Sequence, residues 1–125
     1  MNKQRPKYLN LFQIRLPVTG VVSIMHRLSG VLLVLAIPFL LYVLQLSLSH
    51  PSGFAHARYL LNQPVTMALA LIVALSLVHH FLAGMRFLLF DLDIGVSRQV
   101  SRTSAWLVLV IGLLLAAFIL NQVLL

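Results

Sequence analysis

Five polar side chains sit where the surrounding sequence is apolar. They fall in two groups: Ser23, His26 and Arg27 in "SIMHRLSG" (residues 23–30), and His79 and His80 in "LVHHFLAGMRF" (residues 77–87). On a helix Ser23 and Arg27 share a face, four residues apart, and His26 lies on its flank. A hydroxyl, a fixed cation and a titratable imidazole within one and a half turns can hold a quinone carbonyl, stabilise its reduced oxygen and relay a proton. The same cations can pair with haem propionates. An arginine at the edge of a membrane span also snorkels to the headgroups without any further role. That explanation accounts for Arg27 and leaves Ser23 and His26 unused.

The second group offers a different chemistry. His79 and His80 lie about ten residues before Asp91, about 15 Å along a helix, and an imidazole at that depth in a bilayer is a functional hypothesis by default. Adjacent helical residues diverge by about 100°, so the two do not share one metal ion. His80 has Ser76 four residues before it and Gly84 four after, a face of small side chains suited to a flat macrocycle close to the backbone. His79 is flanked by Leu75 and Ala83. On this geometry His80 is the better haem ligand, although small residues also serve close helix packing alone.

These residues need helices to position them, and the composition says in what solvent. Apolar residues make up 61% of the 125, charged residues 9%, and the mean hydropathy is +1.02; a soluble domain carries about a quarter charged residues. The chain is read as an all-α integral membrane protein. Its net charge of +7 comes from cations spread singly between apolar stretches rather than grouped with aromatics on one face, which argues against nucleic-acid binding. The absence of cysteine excludes disulfides, thiolate metal sites and a cysteine nucleophile, and leaves histidine as the soft-metal ligand.

About 20 apolar residues cross the hydrocarbon as a helix. Three stretches qualify: about Val21–Leu48, with Pro38 as a tolerated kink; about Val65–Phe90, where Asn62 is a candidate cap and Pro64 suits the first turn; and about Ala105–Leu124, with Trp106 at interfacial depth. The 125 residues form one membrane-anchor domain, with residues 1–20 as a retained cytoplasmic segment: its first apolar stretch is broken by Gln13 and Arg15, and no cleavage site follows. Lys3, Arg5, Lys7, Arg15 and Arg27 flank the first span on one side and Arg86, Arg98 and Arg102 lie around the second connection, whereas the Ser49–Gln63 connection holds only Arg58. Eight cations against one place the N-terminus in the cytoplasm and the C-terminus in the periplasm. No connection exceeds about 15 residues, so chemistry belongs within the bilayer or to a partner.

Three stretches together resemble a known family: "RPKYLNL" near the start, "IRLPVTGVVSIMHRLSG" at the first span, and "HFLAGMRFLLFDLD" closing the second. The chain is similar to the cytochrome b large anchor subunit of bacterial succinate dehydrogenase, respiratory complex II. The resemblance covers nearly the whole chain. It implies that His80, four residues before the glycine of "G-x-R", is one axial ligand to the iron of haem b. It implies that Ser23 and Arg27 line the ubiquinone site, and that His26 lies near the haem propionates, where Arg27 can also reach. Some members have histidine where this chain has Phe87, and His79 has no family role and is taken as structural.

The resemblance further implies a helix bundle completed by a second small anchor subunit that supplies the other haem ligand. It also implies a flavoprotein and an iron-sulfur protein that carry FAD and the clusters. This chain has no cysteine or Gly-rich phosphate loop with which to bind either, so succinate oxidation occurs on those partners. The expected part of this chain is to dock them in the inner membrane, co-ligate haem and help reduce ubiquinone. A quinol:fumarate reductase anchor, working in the reverse direction, has the same requirements. A small non-enzymatic membrane protein would need only three short-looped helices and gives no reason for both polar motifs.

Overall fold

The computed structural model describes residues 16–124. The expectations for the N-terminal segment, including Lys3, Arg5, Lys7, Gln13 and Arg15, lie outside the described residues. Four helices follow in order: α1 Val18–Ser49, α2 Pro51–Leu61, α3 Pro64–Asp91 and α4 Arg98–Leu124. No strand occurs among the described residues.

Three of the helices are long and apolar enough to cross a membrane: α1, α3 and α4 as far as Val123. Each begins at a local stop signal. Pro17 precedes α1 in an extended conformation and its carbonyl accepts from Gly20 and Val21. Pro64 opens α3, where its missing N–H costs nothing. Ser97 accepts from the Val100 amide at the start of α4, and its carbonyl accepts from Ser101. With that cap, the polar run 98–104 is helical, and α4 begins seven residues before the apolar stretch at Ala105 from which a span was expected. Pro38 stands inside α1 without ending it.

The connection expected between the first two spans contains a helix of its own. His50 accepts the Gly53 amide on Nδ1 at 2.8 Å, and Pro51 occupies the first position of α2. Gly53 passes so close to α1 that a Cβ there would clash with the Leu46 carbonyl. Asn62 ends α2 instead of capping α3, whose cap position is Gln63. The α3–α4 turn closes as a Schellman motif: Ile94 N–H donates to the Leu89 carbonyl and Asp93 N–H to that of Phe90. Asp93 takes the left-handed conformation at φ 58°.

The helices run alternately. His26 lies beside Gly84 and Gly30 beside His80, so α1 and α3 are antiparallel, and Arg86 reaches Ser101 and Ser104 while Leu82 lies near Gly112, so α3 and α4 are too. The starts of α1 and α4 therefore share one end of the bundle and α2 lies at the other. The buried apolar core is small and sits toward the first end: Val22, Ala83, Ala105 and Val108, with Val18, Leu82, Phe87 and Leu109 packed on it. Two of these four are alanines, which let the backbones approach closely. Large apolar side chains such as Leu35, Leu48 and Leu113, each at least 70% exposed, face outward, as lipid-facing helices require.

Candidate functional site

The α1–α3 crossing brings the two polar groups of the sequence together. His26, eight residues into α1, and His80, eleven before the end of α3, stack with ring centroids 4.2 Å apart and planes 12° from parallel. Two glycines permit the approach. A Cβ on Gly30 would meet His80 Cε1 at 3.0 Å, and one on Gly84 would meet His26 Nε2 at 3.4 Å. Gly84 thus admits the His26 ring from α1. From sequence that space is expected to admit a macrocycle beside His80; at 4.2 Å, ring on ring, no flat group enters between the two imidazoles. Ser76, the other small neighbour of His80, is buried.

The hydrogen bonds of His80 fix its tautomer. Nδ1 lies 3.1 Å from the His26 carbonyl and 3.2 Å from Ser29 Oγ. A carbonyl only accepts, so the ring proton is assigned to Nδ1. The Ser29 hydroxyl donates its own proton to the same carbonyl at 2.8 Å and so meets Nδ1–H with a lone pair. Nε2 makes no hydrogen bond with a described residue and keeps its lone pair. A neutral imidazole whose Nδ1–H is tied to a carbonyl is the form in which histidine ligates a metal. His80 Nε2 is thus a donor that would fit a haem iron.

His79 turns to another side, as the 100° step requires. It borders an apolar groove of about 350 Å³ between α1, α3 and α4 that includes Met25, Leu75, Leu109 and Gly112. Its Nε2 is buried without a partner among the described residues. No group of three or more histidines and carboxylates among the described residues is arranged to hold a metal ion. The Ser23, His26, Arg27 trio does not converge inside the chain. His26 turns in to His80 and lies 5.2 Å from the Phe87 ring, whereas Arg27 is exposed and Ser23 half-buried. Neither hydrogen-bonds a described residue.

Two further residues that the sequence motifs do not single out take part in the site. Ser29, 5% exposed, holds the candidate ligand. Its signal was its place three residues after His26 on the same side of α1. Arg86 is also 5% exposed. It donates from Nε to Ser104 Oγ at 2.9 Å and from Nη2 to the carbonyl and hydroxyl of Ser101 at 3.0 and 3.1 Å. Its guanidinium carbon lies 4.4 Å from the Phe90 ring centre and 5.3 Å from that of Phe87. The pair Ser101 and Ser104, one turn apart in "SRTS", was the available signal.

Alternating membrane helices with a histidine pair at a helix crossing, one imidazole held with a free Nε2, define a membrane-embedded helix bundle with a candidate metal-ligating histidine at its centre. The chain belongs to the succinate dehydrogenase/fumarate reductase transmembrane subunit family, whose sequence pattern matches residues 1–120. It is 34% identical to the succinate dehydrogenase cytochrome b556 subunit of Coxiella burnetii (strain RSA 493 / Nine Mile phase I), over 90% of each chain. It is 32% identical to the succinate dehydrogenase cytochrome b560 subunit of Reclinomonas americana, over 73% of this chain and 67% of that one. To the cytochrome b556 subunit of Paracoccus denitrificans it is 29% identical, over 81% and 78%. The chain is a multi-pass inner-membrane protein of this family.

Proposed function

We propose that this chain is the cytochrome b anchor of a succinate:ubiquinone oxidoreductase, in which His80 would hold the iron of haem b through Nε2. The observation that carries the proposal is the His80 ring, tied at Nδ1 to the His26 carbonyl and Ser29. When bound, haem supplies a one-electron store within the membrane. The chain's own residues hold and orient. Ser29 and the His26 carbonyl fix the ring's tautomer and direction, and stacking on His26 restricts its rotation. His26 and Arg27 lie on α1 one residue apart and serve as the polar groups toward the propionates.

Ser23 and Arg27 act at ubiquinone. The Ser23 hydroxyl and the Arg27 guanidinium donate to the carbonyl that gains negative charge on reduction. That neither bonds a described residue supports a role toward a bound molecule or a second chain. The other haem ligand belongs to a second anchor subunit, and the flavoprotein and iron-sulfur subunits dock at the end of the bundle where α1 and α4 begin, the cytoplasmic end. Succinate oxidation takes place on those subunits.

The test is a reduced-minus-oxidised spectrum and pyridine-haemochrome content of membranes carrying the assembled complex. His80→Leu is expected to abolish the bis-histidine b-type signal and His79→Leu to retain it. A normal signal in the His80 variant together with loss in the His79 variant reverses the assignment. The absence of b-type bands in the unsubstituted complex would refute the haem proposal.

A further inference from the structure

Arg86 is a buried cation held by neutral groups: serine hydroxyls, one carbonyl and two aromatic faces. Its Nη1 is buried and has no partner among the described residues. Burying a charge costs several kcal/mol unless another charge offsets it. The sequence contains only two acidic residues, Asp91 and Asp93, and neither lines the cavity between the starts of α1 and α4.

Ser101, which accepts from Arg86, is also in the wall of a cavity of about 630 Å³ between the start of α1 and the first turns of α4. Two more guanidinium groups line it, Arg98 and Arg102, together with Thr19 and Trp106. The bond from Arg86 uses a lone pair of Ser101 Oγ and leaves the hydroxyl proton to donate, and no described residue accepts it. Arg86 thus polarises a donor on the cavity wall, flanked by two arginines. Arg98, Arg102 and Trp106 are spaced by four residues and share one face of α4. The same ridge, turning about 40° around the helix at each step of four residues, runs on through Val110 and Leu114, which are 50% and 64% exposed.

We infer that this cavity binds the phosphate group of an anionic phospholipid, with Arg98, Arg102 and the Ser101 hydroxyl as donors and the acyl chains laid along Trp106, Val110 and Leu114. A phosphodiester carries one negative charge on two free oxygens, which matches guanidinium forks. The apolar stripe that begins one turn below Arg102 distinguishes a lipid from a free phosphate ion, and Trp106 has the amphipathic ring suited to that boundary. The buried charge of Arg86 then has its counter-charge, relayed through Ser101. This site is independent of the haem and quinone proposals.

The experiment uses the intact complex exchanged into nanodiscs of phosphatidylcholine with a minor fraction of phosphatidylglycerol. Retained lipid is counted by native mass spectrometry. The unsubstituted complex is expected to retain phosphatidylglycerol over phosphatidylcholine. At about 1 kcal/mol per arginine near the membrane surface, Arg98→Gln with Arg102→Gln should lower that preference about thirtyfold. Ser101→Ala changes no charge and leaves Arg86 its bonds to the Ser101 carbonyl and Ser104. It should lower the preference about fivefold, the worth of one hydrogen bond, and it decides the matter if the double variant does not assemble.

Preference unchanged in Ser101→Ala and in any double variant that assembles, or absent in the unsubstituted complex, overturns the inference. So does displacement of the lipid by inorganic phosphate at equal concentration, which would assign the site to the free ion. Release of the soluble subunits from the double variant with lipid preference intact would assign these arginines to an acidic protein surface, and overturns it as well.

Discussion

Ser29 is the residue on which the direction of His80 depends. The ring proton on Nδ1 is shared between the Ser29 oxygen and the His26 carbonyl, so removing the hydroxyl leaves the carbonyl to accept it. Ser29→Ala should therefore weaken the hold on the ring by about 1 kcal/mol without destroying it. The complex is expected to assemble with haem, to lose haem several-fold faster to an apo-protein acceptor, and to show altered low-spin EPR g-values. An unchanged loss rate and spectrum would mean that the carbonyl alone orients the ring.

Ser23 and Arg27 make a second prediction at the residue scale. Loss of one positioned donor to a developing oxyanion costs roughly 3 kcal/mol, about a hundredfold in rate. Ser23→Ala and Arg27→Lys should each depress succinate-driven ubiquinone reduction while electron transfer to an artificial dye at the soluble subunits stays intact. Lysine keeps the charge but not the planar fork, so equal quinone and dye rates in both variants would leave Arg27 as a headgroup anchor.

Between elements, Arg86 joins α3 to α4. Its two serine partners belong to the stretch 98–104, which precedes the apolar part of α4, and the clamp explains why helix extends through that polar run. A hydrogen bond to a charged group is worth about 1.5–3 kcal/mol. Ser104→Ala removes the one that Nε makes, and should lower the temperature at which the complex loses its subunits while leaving the b-type spectrum unchanged at room temperature. Arg86→Leu removes every bond together with the buried charge and is expected to be milder than Arg86→Ala, because leucine still fills the space between Phe87 and Phe90. Thermal dissociation of each variant, followed by size exclusion, measures the order.

For the whole molecule, the alternation of α1, α3 and α4 fixes which ends share a membrane face, and the distribution of cations along the sequence leads to the expectation that the end where α1 and α4 begin is cytoplasmic. The chain has no cysteine, so single cysteines can be introduced against a blank background. Ser97→Cys, before α4, is expected to react with a membrane-impermeant maleimide only from the cytoplasmic side. Ser52→Cys, in α2, should react only from the opposite side. Labelling of both from one side would contradict three crossings, and labelling with the sides exchanged would reverse the orientation.

Membrane residence, the three crossings and the two polar groups were legible in the sequence. In a bilayer, length and hydropathy decide a span by themselves, since each helix satisfies its own backbone. The small-residue face in the sequence favours His80 over His79 as a ligand, but the space at Gly84 is taken by His26. Only the tertiary structure decided that His26 and His80 stack, 54 residues apart in sequence, that Ser29 rather than Ser23 supports the ring, and that Arg86 turns inward. Helix periodicity gives the face on which a residue lies but not the neighbour that the face meets, and in lipid an apolar stripe does not announce which side is packed. The helix α2 was hidden because its cap is a histidine nitrogen and its fit depends on a glycine against the Leu46 carbonyl, neither of which a local pattern displays. Where each polar group points is set by the crossing of α1, α3 and α4, a property of pairs of helices that no single stretch of sequence contains.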